Sequence, residues 1–232
     1  VDVVFHLAAM TSVEESISNP MEYHKVNEMG TLNMLNACVK SGVKRFVFSS
    51  SSAVYGNAEQ IPTKEETDLS PMSPYALNKL IGEQYCKLYS RLDGPYRLET
   101  VCLRYANVFG DRQRNEGAYC NVIGIFNQQK QKDELLTIVG DGEQLRDFIN
   151  VEDVVNANIR AGMIDMKFSG EVFNIGSGTN NSVNQIAEWI GGETTNIPPR
   201  VEPRISLLDS SKANSILEWN SKVNLEDWLK KA

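Results

Sequence analysis

Tyr75 and Lys79 lie four residues apart, downstream of a run of serines, Ser49-Ser50-Ser51-Ser52. On a helix, residues i and i+4 share a face, so the Lys79 ammonium can sit under the Tyr75 phenol. A nearby positive charge favours phenolate and lowers a tyrosine pKa from about 10, which makes a general base usable near neutrality. Serine hydroxyls at the tip of a strand can relay a proton to such a base. The spacing alone is weak, because a helical tyrosine covered by a lysine stem is also an ordinary surface pair. The context strengthens it. The apolar run 43–48 breaks directly into hydroxyls, and chemistry in an open parallel sheet gathers beyond the carboxyl ends of its strands. The residues read as the proton relay of an enzyme.

Alternating signals supply the elements that hold them. Residues 1–8 form a nearly continuous apolar run, as expected for a strand buried on both faces. Pro20 opens a helical stretch with Val26, Met29, Leu32, Leu35 and Val39 as its predicted buried stripe, and Gly42 stops it before the strand 43–48. Ser73 and Pro74 are a cap and first turn for a second helix, with Leu77, Ile81, Tyr85 and Leu88 as its stripe. Residues 98–105 form a further strand. This β-α-β-α-β order predicts an α/β fold with a Rossmann-like parallel sheet. Beyond Gly110 the pattern changes to a helix at 118–130, short strands at 136–139 and 145–149, a helix at 153–163, a strand at 172–175 and helices at 183–190 and 211–217. That half predicts a smaller α+β lobe. The sheet domain takes 1–110 and about 147–176, the lobe 111–146 and 177–232.

Composition bounds the partners. The formal charge of −7 over 232 residues, with a pI near 5.0, argues against nucleic acid or an anionic membrane surface. Cys38, Cys86, Cys102 and Cys120 are scattered, which fits reduced thiols in a cytoplasmic protein. His6 and His24 are the only histidines, too few for a zinc site. No apolar stretch approaches a membrane span and no signal peptide is expected.

Five motifs occur in order: His6-Leu7-Ala8-Ala9, Asn27-x-x-Gly30-Thr31, Ser49-Ser50-Ser51, Tyr75-x-x-x-Lys79 and Leu103-Arg104-Tyr105-x-Asn107-Val108-Phe109-Gly110. Together they resemble the extended short-chain dehydrogenase/reductase family, and within it the NAD-dependent nucleotide-sugar epimerases. The match extends to Ser211-Lys212-Ala213 and Leu217-x-Trp219. The family opens with a glycine-rich loop that holds the cofactor pyrophosphate at a helix N-terminus. This sequence begins at what corresponds to the fourth strand, so the resemblance implies roughly 60 absent residues, poor dinucleotide binding by the chain as written, and an unpaired edge on its first strand.

The resemblance implies the following roles. Leu7, Ala8, Ala9, Ser49 and the backbone at Ala106 line the NAD cleft, with Tyr75 and Lys79 at the ribose. Tyr75 takes the sugar 4-hydroxyl proton through Ser51 while hydride passes to NAD, and the 4-keto sugar turns over before hydride returns. Related dehydratases and decarboxylases carry Asp or Glu directly after the residue matching Ser51. Ser52 and Ala53 stand here, so epimerisation is favoured over water loss. Asn107, Asn121, Val122, Leu136 and Ile138 resemble nucleotide contacts of the UDP-sugar. Arg146 resembles a diphosphate arginine, with Arg204 or Arg200 as a second; a guanidinium suits bidentate phosphate capture. The alternative for Arg146 is a salt bridge to Asp147 or Asp153. Ser206 falls where such epimerases gate the sugar pocket, and its small side chain implies that N-acetylhexosamine nucleotides are accepted. A homodimer through the 20–40 and 74–88 helices is a further expectation. A dehydratase or reductase of the same family, and a non-catalytic dinucleotide-binding member, are the alternative functions.

Overall fold

A computed structural model describes residues 1–114, 120–199 and 202–231. Its centre is a four-stranded parallel sheet of β1 (Val3–His6), β2 (Arg45–Ser51), β3 (Glu99–Tyr105) and β7 (Glu171–Ile175), in the order β1-β2-β3-β7. Between β1 and β2 the chain runs through α1 (Val13–Ser18), α2 (Pro20–Tyr23), a π-helix (His24–Met29) and α3 (Gly30–Lys40). A 3₁₀ turn (Ser52–Tyr55) and the helix α4 (Pro74–Arg91) connect β2 to β3.

Side chains on alternate positions of β2 enter two cores, as the period of a strand requires. Phe46 and Phe48 pack with Leu35, Cys38, Cys86 and Cys102 beneath α3 and α4. Val47 packs with Val101, Phe173, Ala157 and Ala161 beneath α6 (Val151–Met163) on the other face.

After β3 come β4 (Asn107–Phe109), α5 (Val122–Gln131), β5 (Leu136–Val139) and β6 (Leu145–Asn150). The last part of the chain adds β8 (Asn180–Ser182), α7 (Val183–Ile190), β9 (Thr194–Ile197), α8 (Ser211–Leu217) and α9 (Leu225–Leu229). β6 pairs with β4 in parallel and β8 antiparallel, and β5 pairs with β9. A third core joins Phe109, Phe126, Leu136, Phe148, Ile186 and Leu225. Leu208, Ala213, Leu217 and Trp219 belong instead to the α6-side core of the main sheet.

Four sequence expectations are corrected here. Among the described residues β1 has a neighbouring strand on one side only, and Phe5 is 39% exposed rather than buried. The stripe expected inside the 20–40 helix holds for Leu32, Leu35 and Val39, which pack in the core beneath α3, but not for its start in the π-helix. Asn27, Thr31, Leu35 and Cys38 face inward, while Val26 and Met29 are exposed. On α4 the buried side carries Tyr75, Lys79, Gly82, Glu83 and Cys86, whereas Leu77 and Leu88 are half exposed. The face of α4 against the sheet thus carries small and polar groups, and of the expected stripe Tyr85 packs against the core while Leu77 and Leu88 look outward. The helix expected at 118–130 starts at Val122, and residues 118 and 119 lie outside the described residues.

Candidate active site

β2 ends in Ser51, whose side chain accepts from the Ala53 N–H at 3.2 Å and so turns the chain into the 3₁₀ helix. α4 starts just above this point. Ser73 caps it by accepting from the Ala76 N–H at 3.1 Å, and Pro74 occupies the first turn, where its missing N–H costs nothing. That start places the buried Tyr75 beside Ser51. Lys79, one turn further, donates to the Ser49 carbonyl at 2.7 Å. Its ammonium lies 5.2 Å from the Phe48 ring centre and 5.9 Å from that of Tyr75. Gly82 allows the helix to come this close, because a Cβ there would meet Phe48 Cζ at 2.4 Å. The sequence-predicted trio Ser51, Tyr75 and Lys79 is brought together at the carboxyl end of a parallel sheet.

The electrostatics differ from the expectation. Burial raises the Tyr75 pKa, and only the Ser51 hydrogen bond opposes it. Burial also lowers the Lys79 pKa to about 8. A low-dielectric setting penalises both charged forms, and the ammonium is committed to a carbonyl rather than to the phenol. Lys79 therefore does not acidify Tyr75 in the ligand-free chain.

Behind this trio lies a buried network that sequence reasoning missed. Glu83 receives Arg104 through two bonds, 2.9 and 2.7 Å, and Ser50 through a third of 2.5 Å. Arg104 also donates to the Tyr55 hydroxyl at 2.7 Å, which donates to Asn174 on β7. Paired and fully hydrogen-bonded, these charges fix α4 against β2, β3 and β7. Two opposite charges set within otherwise buried segments, Glu83 and Arg104, were the available signal. Ser49 Oγ lies 3.1 Å from the Tyr105 hydroxyl, which Asn158 on α6 holds from behind.

Leu7 and Ala8 are exposed beyond β1, and Ala9 is half-buried. Ala106 is buried, its N–H bonded to Ile175 O at 3.0 Å. Among the described residues the only hydrogen-bond partner of Lys79 Nζ is the Ser49 carbonyl, leaving further N–H donors for neutral oxygen acceptors. Exposed small residues at a strand end and a buried cation with unused donors fit a dinucleotide ribose and nicotinamide.

A second group forms around β6. Leu145 pairs through its backbone with the 204–206 segment, accepting from Ser206 N at 3.0 Å and donating to Arg204 O at 2.9 Å. This gathers Arg146, Arg204 and Ser206. Arg146 is ion-paired with Glu202 at 3.0 Å, not with Asp147 or Asp153, the partners expected if it formed a salt bridge. Asp147 is fully buried, accepting from Ser177 and the Leu208 N–H; Asp153 accepts from the N–H groups of Lys222 and Val223. Arg204 is exposed and forms a fork with Asp141 at 2.7 and 3.0 Å. Asn107 donates to Asp147 O at 3.0 Å. Asn121 caps α5 and donates to Val108 O at 2.8 Å, with Val122 next to it in the first turn. Leu136 and Ile138 point their side chains into the third core, so only their backbone can meet a ligand. Arg200 lies outside the described residues.

The model of the NAD dependent epimerase/dehydratase family matches residues 1–176. The chain belongs to this family. Within it, the chain is 39% identical to a putative UDP-glucose 4-epimerase of Methanocaldococcus jannaschii over 239 residues, covering 100% of this chain and 75% of the relative. Among solved structures, UDP-glucose 4-epimerase of Thermotoga maritima with UDP-glucose superposes with a TM-score of 0.91 at 41% identity, covering 99% of this chain and 75% of that one. UDP-N-acetylglucosamine 4-epimerase of Methanobrevibacter ruminantium, in complex with UDP-N-acetylmuramic acid, gives 0.91 at 35% identity, with 99% and 74% covered. Family members of this kind are NAD-dependent enzymes with a Rossmann-type sheet, as the motifs implied. Among the described residues no cluster of His, Cys, Asp and Glu could hold a metal, and no helix is long and apolar enough to cross a membrane.

Proposed function

We propose that this family member is an NAD-dependent 4-epimerase of a UDP-sugar. The observation that carries the reading is the placement of Tyr75 beside Ser51 and Lys79 at the end of β2, with no carboxylate following Ser51. When bound, NAD supplies a reversible hydride acceptor for C4 of the sugar and a positive charge near the phenol. Lys79 and the exposed 7–9 segment would hold its ribose and nicotinamide. Tyr75 accepts the 4-hydroxyl proton, with Ser51 as bridge, as the C4 carbonyl forms. It returns that proton when the carbonyl is reduced from the other face, so no net oxidation results. Burial keeps Tyr75 protonated until ligands bring positive charge, which confines the base to the loaded site.

Arg146 and Arg204 would exchange Glu202 and Asp141 for the diphosphate, and Asn107, Asn121, Val122 and the backbone of Leu136 and Ile138 would face the nucleotide. Half-buried Ser206 leaves room for an acetamido group, so UDP-N-acetylhexosamine is within the substrate range. The exposed Ile17, Met21, Leu77 and Leu88 offer an apolar face for a homodimer. Four free cysteines fit a cytoplasmic setting.

The test incubates the full-length protein and NAD with UDP-glucose, UDP-N-acetylglucosamine and UDP-glucuronate, and reads products by NMR. The expected products are C4 epimers without accumulation of NADH. A 4-keto-6-deoxy product, or stoichiometric NADH, would overturn the assignment.

A further inference from the structure

The motif Asn27-x-x-Gly30-Thr31 has no part in the chemistry above, yet its side chains are buried and polar. Asn27 is 3% exposed and Thr31 is 1% exposed. Asn27 grips the backbone of Met10 at both polar atoms: Met10 N–H donates to Oδ1 at 2.8 Å, and Nδ2 donates to Met10 O at 2.9 Å. One partner is only a donor and the other only an acceptor, so the orientation of the amide is fixed. The Thr31 hydroxyl donates to Asn27 O at 2.6 Å. Its proton is thereby committed, so it accepts from the His6 ring Nε2 at 3.0 Å, which requires the Nε2–H tautomer.

These bonds bracket one segment. His6 is the last residue of β1 and Met10 lies four positions later; Met10 is tied to Asn27 in the π-helix and His6 to Thr31 in the first turn of α3. Leu7, Ala8 and Ala9 lie between the two anchors. Gly30 N–H donates to Lys25 O, five residues back, and Asn27 and Thr31, four positions apart across this turn, both lie on the inner face.

We infer that His6, Thr31 and Asn27 are positioning residues that clamp the 7–9 segment in the shape the cofactor meets. The inference rests on the cofactor cleft proposed above. The clamp spends hydrogen bonds before the ligand arrives, so the segment need not lose its freedom on binding. The His6 ring stacks near Phe46 and Phe48, and burial together with the nearby Lys79 cation lowers its pKa to about 4. It therefore stays neutral, and its bond to Thr31 persists through the physiological range.

Two substitutions in the full-length protein test this. Thr31→Val keeps the shape and removes the link between His6 and Asn27. Asn27→Asp keeps the acceptor for Met10 N–H and loses the donor to Met10 O. Loss of one buried hydrogen bond corresponds to roughly a tenfold change in an equilibrium. Each variant should bind NAD about tenfold more weakly, while its affinity for UDP stays unchanged. UDP binding is the control that a general loss of structure would also move. Unchanged NAD affinity, or loss of NAD and UDP affinity together, would overturn the clamp. Should a variant fail to fold, the unaltered protein still decides: its Met10 amide must exchange far more slowly than those of Ala8 and Ala9, and equal rates refute the idea. A slow Met10 amide in a protein that binds no NAD would instead overturn the cofactor reading.

Discussion

Replacing Lys79 by Met separates the roles of this residue in stability and in chemistry. Burial lowers the Lys79 pKa from 10.5 to about 8. At about 1.4 kcal/mol per tenfold change in proton affinity, keeping the ammonium in the ligand-free fold at about pH 6 costs on the order of 3 kcal/mol. Methionine has similar length and removes that cost, but it leaves the Ser49 carbonyl without its 2.7 Å donor. The orphaned carbonyl works the other way by about 1–2 kcal/mol. The variant should therefore be more stable by about 1–2 kcal/mol at pH 6, without NAD. The folded-state pKa lies below the unfolded one, so between about 8 and 10.5 the unfolded chain binds more protons and wild-type stability rises with pH. The advantage of the variant is full below about pH 8 and disappears towards 10.5. Urea denaturation of both proteins across that range measures it, alongside turnover, which should fall at least about a hundredfold. A variant less stable by the same amount at every pH would refute the claim that Lys79 is a cation held at a cost for function.

Tyr75→Phe should lower kcat by about a thousandfold with NAD and UDP affinities unchanged, as steady-state kinetics and titration calorimetry would show. Because burial holds the phenol above its ordinary value in the ligand-free chain, the Tyr75 phenolate, read as the ultraviolet difference between wild type and Tyr75→Phe, should form at lower pH once NAD is bound, and an unchanged titration on adding NAD would argue against Tyr75 as the base. Ser206→Tyr should abolish turnover of UDP-N-acetylglucosamine and spare UDP-glucose; an equal loss on both substrates would remove the gate. Arg104→Met leaves Glu83 buried without its partner and should cost about 3–5 kcal/mol in urea denaturation, much of it recovered when Glu83→Leu is added.

The sequence by itself determined that Ser51, Tyr75 and Lys79 would meet, and the parallel α/β order. Tyr75 and Lys79 need only helical spacing and the Ser73-Pro74 start, and Ser51 needs only the end of an apolar run; these are local signals. The capping residues and the elements β5, α7 and α8 were legible for the same reason. The tertiary structure decided which face each helix buries. No local pattern announced the π-helix, and the contacts that Asn27 and Thr31 make to Met10 and His6 lie at separations of 17 and 25 residues, out of reach of any local signal. On α4 Leu77 and Leu88 pointed outward because Ser50, Arg104 and the Ser49 carbonyl supplied partners that let Glu83 and Lys79 be buried. The pKa of Tyr75 followed the same logic. Spacing placed a cation nearby, but exclusion of water and the direction of its hydrogen bond fixed the sign of the shift, and both are properties of the assembled fold.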